Sequence, residues 1–449
     1  MLGPILVYTL FAWGCFEGLR RPWVGLVVYY AFVTLEPDWN WRWSIDTTFP
    51  YQKYITGCML LGLLFNGLKK ARVTGLTKYS LYSLSAFVAI AYVSAFQSLN
   101  ADYSFEYMGV IWKVALMAII TVWLIDSPKK LWILMWVVVI CQGYNALQIN
   151  LQYFQDGYCR YATNGWGGKG DNNVYSIFTI PVMGISAALS VYGKNNWQLV
   201  LAGFVFVLQL HVLLLLESRG TMIGGICLAC IFAVCVPKSR RVWTVLAAAF
   251  FCAVLLTGPS VVDEFTSAFK SEGERDSSAN SRFELWKAGA TITKENPLLG
   301  VGPNAGRFVV PQYVDAEGRD QKALHNLFFE ISTGCGVLAT LLYLAFFGLV
   351  FFPCLLLLRR KKHQLPDWAA VGTLAVVCGV PGYWVSSMFS SGALLESSYM
   401  LVAIGGVSIQ IYQRMEAAAL KPKLNAKKDE ASPTAVTVSI NNSVNSVCT

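Results

Sequence analysis

The chain has 449 residues, of which 55% are hydrophobic and only 14% charged, and its formal net charge is +9. Soluble globular domains carry about a quarter charged residues, so a mean hydropathy of +0.49 excludes that class. Apolar runs of about 15 to 25 residues, separated by short charged links, predict an all-α polytopic membrane protein, and the alternating segments of a membrane barrel are missing. The positive charge does not call for nucleic acid. It gathers in short links such as Lys69-Lys70-Ala71-Arg72, Lys238-Ser239-Arg240-Arg241 and Arg359-Arg360-Lys361-Lys362, where Lys and Arg set membrane topology.

In chain order the predicted spans cover residues 2–19, 22–35, 53–68, 79–98, 107–125, 130–149, 173–192, 197–216, 220–236, 242–258, 325–357, 367–389 and 393–412. That is about 12–14 transmembrane helices, with 13 preferred, and the second and third are short enough to be tilted, re-entrant or partly interfacial. The first run begins almost at Met1 without a basic leader and reads as a retained span. The expected organisation is a bundle of spans over residues 1–258, a large loop over 259–324, further spans over 325–412 and a disordered cytoplasmic tail over 413–449. With the basic links cytoplasmic, the loops at 150–172 and 259–324 fall on the extracytoplasmic side.

Most of the 12 cysteines lie in apolar runs, as do Cys227, Cys230, Cys235, Cys252 and Cys378, and there they act as small hydrophobes. The CxxC spacing of Cys227 and Cys230 lies mid-span without further ligands, so no zinc site is expected. There is no DxD motif and the acidic residues are scattered, which disfavours metal-dependent nucleotide-sugar transfer. No metal and no cofactor is expected.

Two loops carry information. In Asn164-Gly165-Trp166-Gly167-Gly168-Lys169-Gly170-Asp171-Asn172-Asn173 the glycines allow backbone to approach a phosphate or sugar, and Trp166 offers a face to a sugar ring. The alternative is a merely flexible glycine loop; a P-loop it is not. In the second loop, Phe283, Trp286 and Ala290 recur at i, i+3 and i+7, the pattern of an amphipathic helix on a membrane surface. Ser281 with Glu284 has the form of a capping box, Pro297 ends the helix, and Gly300 to Asn304 form a tight turn.

Of three histidines, His363 adjoins a basic link and His211 lies inside an apolar run, where packing or an interhelical hydrogen bond is its expected role. His325 stands where the large loop re-enters the membrane, and an imidazole of ordinary pKa near 6.5 is free to accept a proton at neutral pH. Arg219 lies in a link too short to leave the interface, where a cation costs about 2.5–3.5 kcal/mol on insertion scales and so has a partner or a task. Glu217 is two residues away, on a different helical face, and is a poor partner. Lys113, about two turns into its span, either snorkels outward or helps hold a phosphate. With Arg282 these cations suit a phosphate leaving group, arginine through forked hydrogen bonds.

Ser218-Arg219-Gly220, Arg282-Phe283-Glu284-Leu285-Trp286, Asn296-Pro297-Leu298-Leu299-Gly300-Val301-Gly302 and His325-Asn326-Leu327-Phe328-Phe329-Glu330, followed by Gly334-Cys335-Gly336, resemble the O-antigen ligase/polymerase superfamily. Arg21-Pro22-Trp23, Glu36-Pro37 and Asp171-Asn172-Asn173 are similar to its exosortase-associated O-glycosylation ligase branch. The resemblance implies a helical glycosyltransferase of the membrane C type in the bacterial inner membrane. It implies an undecaprenyl-diphosphate-linked glycan as donor and a glycan or protein hydroxyl as acceptor, with no metal. By the same resemblance His325 is the catalytic base, while Arg219 and Arg282 engage the diphosphate. Lys113, Asn326, Asp171, Asn172 and Trp166 complete the candidate substrate-binding set. A polymerase with the same site is the nearest alternative, and a secondary transporter of a small anion is a more distant one.

Overall fold

The computed structural model describes residues 2–66, 73–167, 171–238, 240, 243–244, 247–248, 251, 277–315, 318, 320–361 and 364–431. The expected span at 242–258, the first part of the large loop, His363 and the end of the tail lie outside this description or are barely touched by it. Among the described residues every element is helical. The N-terminal group is α1 (Leu2–Arg20), α2 (Pro22–Leu35), α3 (Pro37–Asn40), α4 (Tyr51–Phe65), α5 (Gly75–Phe96) and α6 (Ala101–Leu124). The middle of the chain forms α7 (Pro128–Asp156), α8 (Tyr161–Asn164), α9 (Asn172–Tyr192), α10 (Asn196–Leu215) and α11 (Arg219–Cys235). Then come α12 (Ser277–Glu295), α13 (Gly306–Val309), α14 (Leu327–Lys361), α15 (Asp367–Ser387) and α16 (Glu396–Ala431).

Eight of the described helices are long and apolar enough to cross a membrane, and α2 and α11 are shorter apolar helices. The chain is therefore an all-α polytopic membrane protein. Residues Val24 to Leu35 of α2 are all buried, which makes this short helix an interior element rather than an interfacial one. The centre of the bundle is α9 packed against α15, with α11 beside them. Small residues let these backbones come close: a Cβ on Gly184 would lie 2.9 Å from the Ala375 carbonyl, and one on Gly382 3.1 Å from that of Gly224.

α14 is a broken helix. At Gly336 the backbone leaves helical geometry (φ 85°, ψ 175°), which frees peptide groups that an apolar interior cannot leave unsatisfied. The turn from Pro297 to Gly302 docks into the break. Val301 N–H donates to Thr333 O at 2.8 Å, Gly302 N–H to Gly334 O at 2.9 Å and Val337 N–H to Pro297 O at 2.8 Å. The Ser94 hydroxyl of α5 is within hydrogen-bonding range of both Leu299 O, at 2.6 Å, and Gly334 O, at 2.8 Å, fastening the splice to the bundle. The tight turn expected at Gly300 is thus part of a spliced helix. Gly300 (φ 66°) and Gly302 (φ 113°) adopt backbone that side-chain-bearing residues avoid.

Two local expectations change. α12 begins at Ser277, so Ser281 lies inside the helix and does not cap it. Its buried stripe is Leu285, Ala288 and Ile292, packed with Val301, Ala305, Val309, Val310 and Leu324 of its own chain, while Phe283 is exposed. The helix covers the spliced loop, and the face it buries is turned away from the one read from Phe283 and Ala290. At the other end of the chain, α16 stays helical to Ala431, past the boundary at 413 expected for the tail.

The splice predicts a steric rule. A Cβ at Gly336 would lie 2.2 Å from Leu298 O, in a left-handed conformation. Gly336→Ala should destabilise the protein by about 2–4 kcal/mol, read as a lowered midpoint of thermal unfolding in detergent. Gly109→Ala in α6, where a Cβ meets nothing within 4 Å, should be neutral or slightly stabilising.

Candidate active site

The site forms where α9, α11 and α14 begin and α15 ends. Asp171 caps α9, its Oδ1 accepting from Val174 N–H at 2.7 Å. Asn172 Nδ2 donates to Leu216 O at 2.8 Å, and Asn173 Oδ1 accepts from the Ser218 hydroxyl at 2.7 Å. The Asp171-Asn172-Asn173 run therefore staples the link between α10 and α11. That staple sets half-buried Arg219 as the first residue of α11. A guanidinium at the positive end of a helix dipole concentrates potential that favours an anion. Gly220 beside it is covered: a Cβ there would lie 2.6 Å from Phe389.

Phe389 links this corner to the next. Its ring lies 6.0 Å from that of Trp286 on α12, and the adjacent Met388 carbonyl accepts from Asn326 Nδ2 at 3.1 Å. Asn326 Oδ1 in turn accepts from Phe328 N–H at 3.0 Å and Phe329 N–H at 3.2 Å, capping α14. Both ends of the Asn326 amide are engaged, so its visible work is to fix the residue before it. That residue, His325, has φ 48°, a conformation costing a non-glycine residue about 1 kcal/mol or more and held only by a well-determined surround.

His325 is solvent-exposed, with protein packed densely around it. Its pKa lies below the ordinary imidazole value, chiefly because burial strips hydration from the charged form. Arg282 adds to the lowering, then Arg307 and Lys322, while Asp171 opposes it. These charges share one neighbourhood, and on balance it favours the neutral imidazole.

Sequence reading missed three members of this group: Arg307, Lys322 and Glu330. Lys322 N–H donates to Arg307 O at 2.9 Å, bringing the two arms of the loop together. The Arg307 guanidinium lies 5.1 Å from the Tyr103 ring centroid. Its Nε is buried without a hydrogen-bond partner among the described residues. Glu330 is buried and accepts from the Tyr107 hydroxyl at 3.1 Å. Arg307, Glu330, Asn304 and Ser391 border a cavity of about 10 Å³, room for about one water. The available signal was spacing: Glu330 stands one helical turn beyond Asn326, an acid in an otherwise apolar run.

Other candidates lie elsewhere or are occupied. Trp166 is 4% exposed and packs with Trp39, Tyr161 and Tyr175, which a sugar would have to displace to stack on its faces. Lys113 lines a different cavity, whose walls include neither His325, Arg219 nor Arg282. His211, inside α10, is hydrogen-bonded through Nδ1 to Asn150 Oδ1, the packing role expected of it. Among the described residues no His, Cys, Asp and Glu group has the make-up of a metal site.

Fold and site together define an integral membrane protein with a neutral histidine and several cations gathered at one end of its helix bundle. Residues 204–344 match the family model described as O-antigen ligase, and the match supports the resemblance to the O-antigen ligase-like superfamily carried by the motifs in this part of the chain. It supports a membrane glycan ligase or polymerase type of function. The matched segment contains Arg219, Arg282, Arg307, His325 and Glu330, whereas Asp171 and Asn172 come from outside it. Nothing in the match singles out the exosortase-associated branch. No curated protein matches the chain.

The depressed His325 pKa has a defined sign. Neutral imidazole, the form diethylpyrocarbonate attacks, should persist below pH 6.5, so labelling of the His325 peptide should fall only at lower pH than in a model peptide. Arg282→Gln should move that midpoint upward. The same linkage makes the contribution to stability full above about pH 6.5 and lost as pH drops through the folded value.

Proposed function

We propose that the protein is a membrane glycan ligase. It transfers a glycan from an undecaprenyl-diphosphate carrier to an acceptor hydroxyl, on a lipid A–core sugar or a protein Ser or Thr, at the extracytoplasmic face of the bacterial inner membrane. The observation that carries this reading is the shared neighbourhood of His325 with Arg282, Arg307 and Asp171, at the bundle end where α11 presents Arg219.

In this reaction His325 accepts the acceptor's proton as its oxygen attacks the anomeric carbon. The bond between that carbon and the diphosphate oxygen breaks, and the electron pair leaves with the diphosphate. Arg219, Arg282 and Arg307 face the charge that develops there and stabilise it. A single displacement inverts the anomeric centre. Side-chain cations supply the neutralisation, so the scheme uses no metal. Asp171 steadies the imidazolium formed in the step, and Asn326 holds the ring's backbone in register. The low pKa suits the direction of transfer, since a base that is neutral at pH 7 is ready to act.

The test is transfer by reconstituted protein from a lipid-diphosphate glycan to an added acceptor. His325→Ala and Arg219→Ala should each lower the rate by about 10²–10⁴-fold while insertion and the unfolding midpoint stay unchanged. Full transfer by folded His325→Ala protein would remove the base from the scheme. The product separates the nearest rival: one glycan per acceptor is ligase behaviour, and a ladder of carrier-linked lengths is polymerase behaviour.

A further inference from the structure

The cavity that holds Lys113 lies away from the transfer site. Tyr107 of α6 faces Glu330. Six residues on, Lys113 stands about 9 Å further along the helix and about 120° around it. There it borders a cavity of about 370 Å³ between α2, α4, α6 and the start of α16. Its polar lining is Tyr29, Gln52, Lys53, Thr56, Lys113 and Glu396. Leu60, Leu116 and Met117 form apolar wall beside them. Lys53 and Lys113 are exposed along this groove, and Glu396 is half-buried in it.

We propose that this cavity is a binding site for an acidic phospholipid of the surrounding bilayer, its phosphodiester held by Lys53 and Lys113 and its acyl chains lying along the apolar wall. The shape of the lining matches an amphiphile, polar at one part and aliphatic at another. Charge selects the headgroup. Two lysines against one glutamate leave the lining one positive charge in excess, which matches a singly charged phosphodiester better than a diphosphate carrying two or three negative charges. Lysine is a point-charge partner on a flexible stem, suited to a mobile headgroup, whereas the transfer site presents arginines. Gln52 and Thr56, one turn apart on α4, add hydrogen-bonding groups for phosphate or glycerol oxygens. None of the residues in the transfer scheme lines this cavity, so its occupant is structural or regulatory and does not depend on the reaction.

The full-length protein, purified in detergent and mixed with equimolar phosphatidylglycerol, phosphatidylcholine and a polyprenyl diphosphate, is read by native mass spectrometry. Phosphatidylglycerol should be retained at least about five-fold over phosphatidylcholine. The same lipid should raise the wild-type unfolding midpoint more than phosphatidylcholine does. Lys53→Gln with Lys113→Gln should erase the preference, and Lys53→Arg with Lys113→Arg should keep it. Equal retention of the two phospholipids by the wild-type protein would overturn the proposal, and this arm needs no variant to fold. A preference for the polyprenyl diphosphate that the lysine-to-glutamine pair removes would overturn it too, by assigning the cavity to a different lipid phosphate. An unchanged preference in the folded glutamine pair would place the lipid elsewhere.

Discussion

The break in α14 and the turn that fills it are what the rest of the site depends on. A helix interrupted inside an apolar bundle must hand its freed peptide groups to other partners, and here Pro297 to Gly302 supply them through Val301, Gly302 and Val337. The stretch after the turn is thereby anchored twice on the same helix, at Gly334 through Gly302 and at the N-terminus through the Asn326 cap. Arg307 and His325 both lie between these anchors. Their positions are set by backbone hydrogen bonds that cannot be given up cheaply, which is how a loop holds chemical groups with the accuracy of a helix.

That scaffold brings several charges to bear on one histidine. Arg282, Arg307 and Lys322 crowd a histidine whose charged form burial already disfavours, and Asp171 offsets them only in part. Arg219 adds its charge at the positive end of α11. In the proposed transfer a leaving group with two or more negative charges would be stabilised by these cations. The strained backbone at His325 fits the same logic, since strain survives where the surrounding packing over-determines it and a function retains it.

How much of this was legible in the sequence divides along a physical line. Long apolar runs such as α9, α10 and α15 announce themselves by hydropathy alone. Arg219 and His325 stand out in the sequence because a titratable group in an apolar context is an anomaly at the level of single residues. The splice was not legible, because its bonds join Val301 to Thr333 and Pro297 to Val337 across a helix break that hydropathy reads as one continuous run. Arg307 stayed hidden for the same reason: its surroundings depend on where the docked turn carries it. Trp166 and Ser281 misled in a simpler way. A glycine-flanked tryptophan looks exposed, and a serine three residues before a glutamate looks like a cap, until the fold buries the first and extends the helix past the second.

The most direct test of the central claim is an experimental structure of the full-length protein bound to a non-transferable lipid-diphosphate glycan. The account predicts the diphosphate within hydrogen-bonding reach of Arg219 and Arg282, with the anomeric carbon turned toward the His325 ring. A diphosphate seated at the opposite end of the bundle, or in the cavity bordered by Lys53 and Lys113, would contradict it.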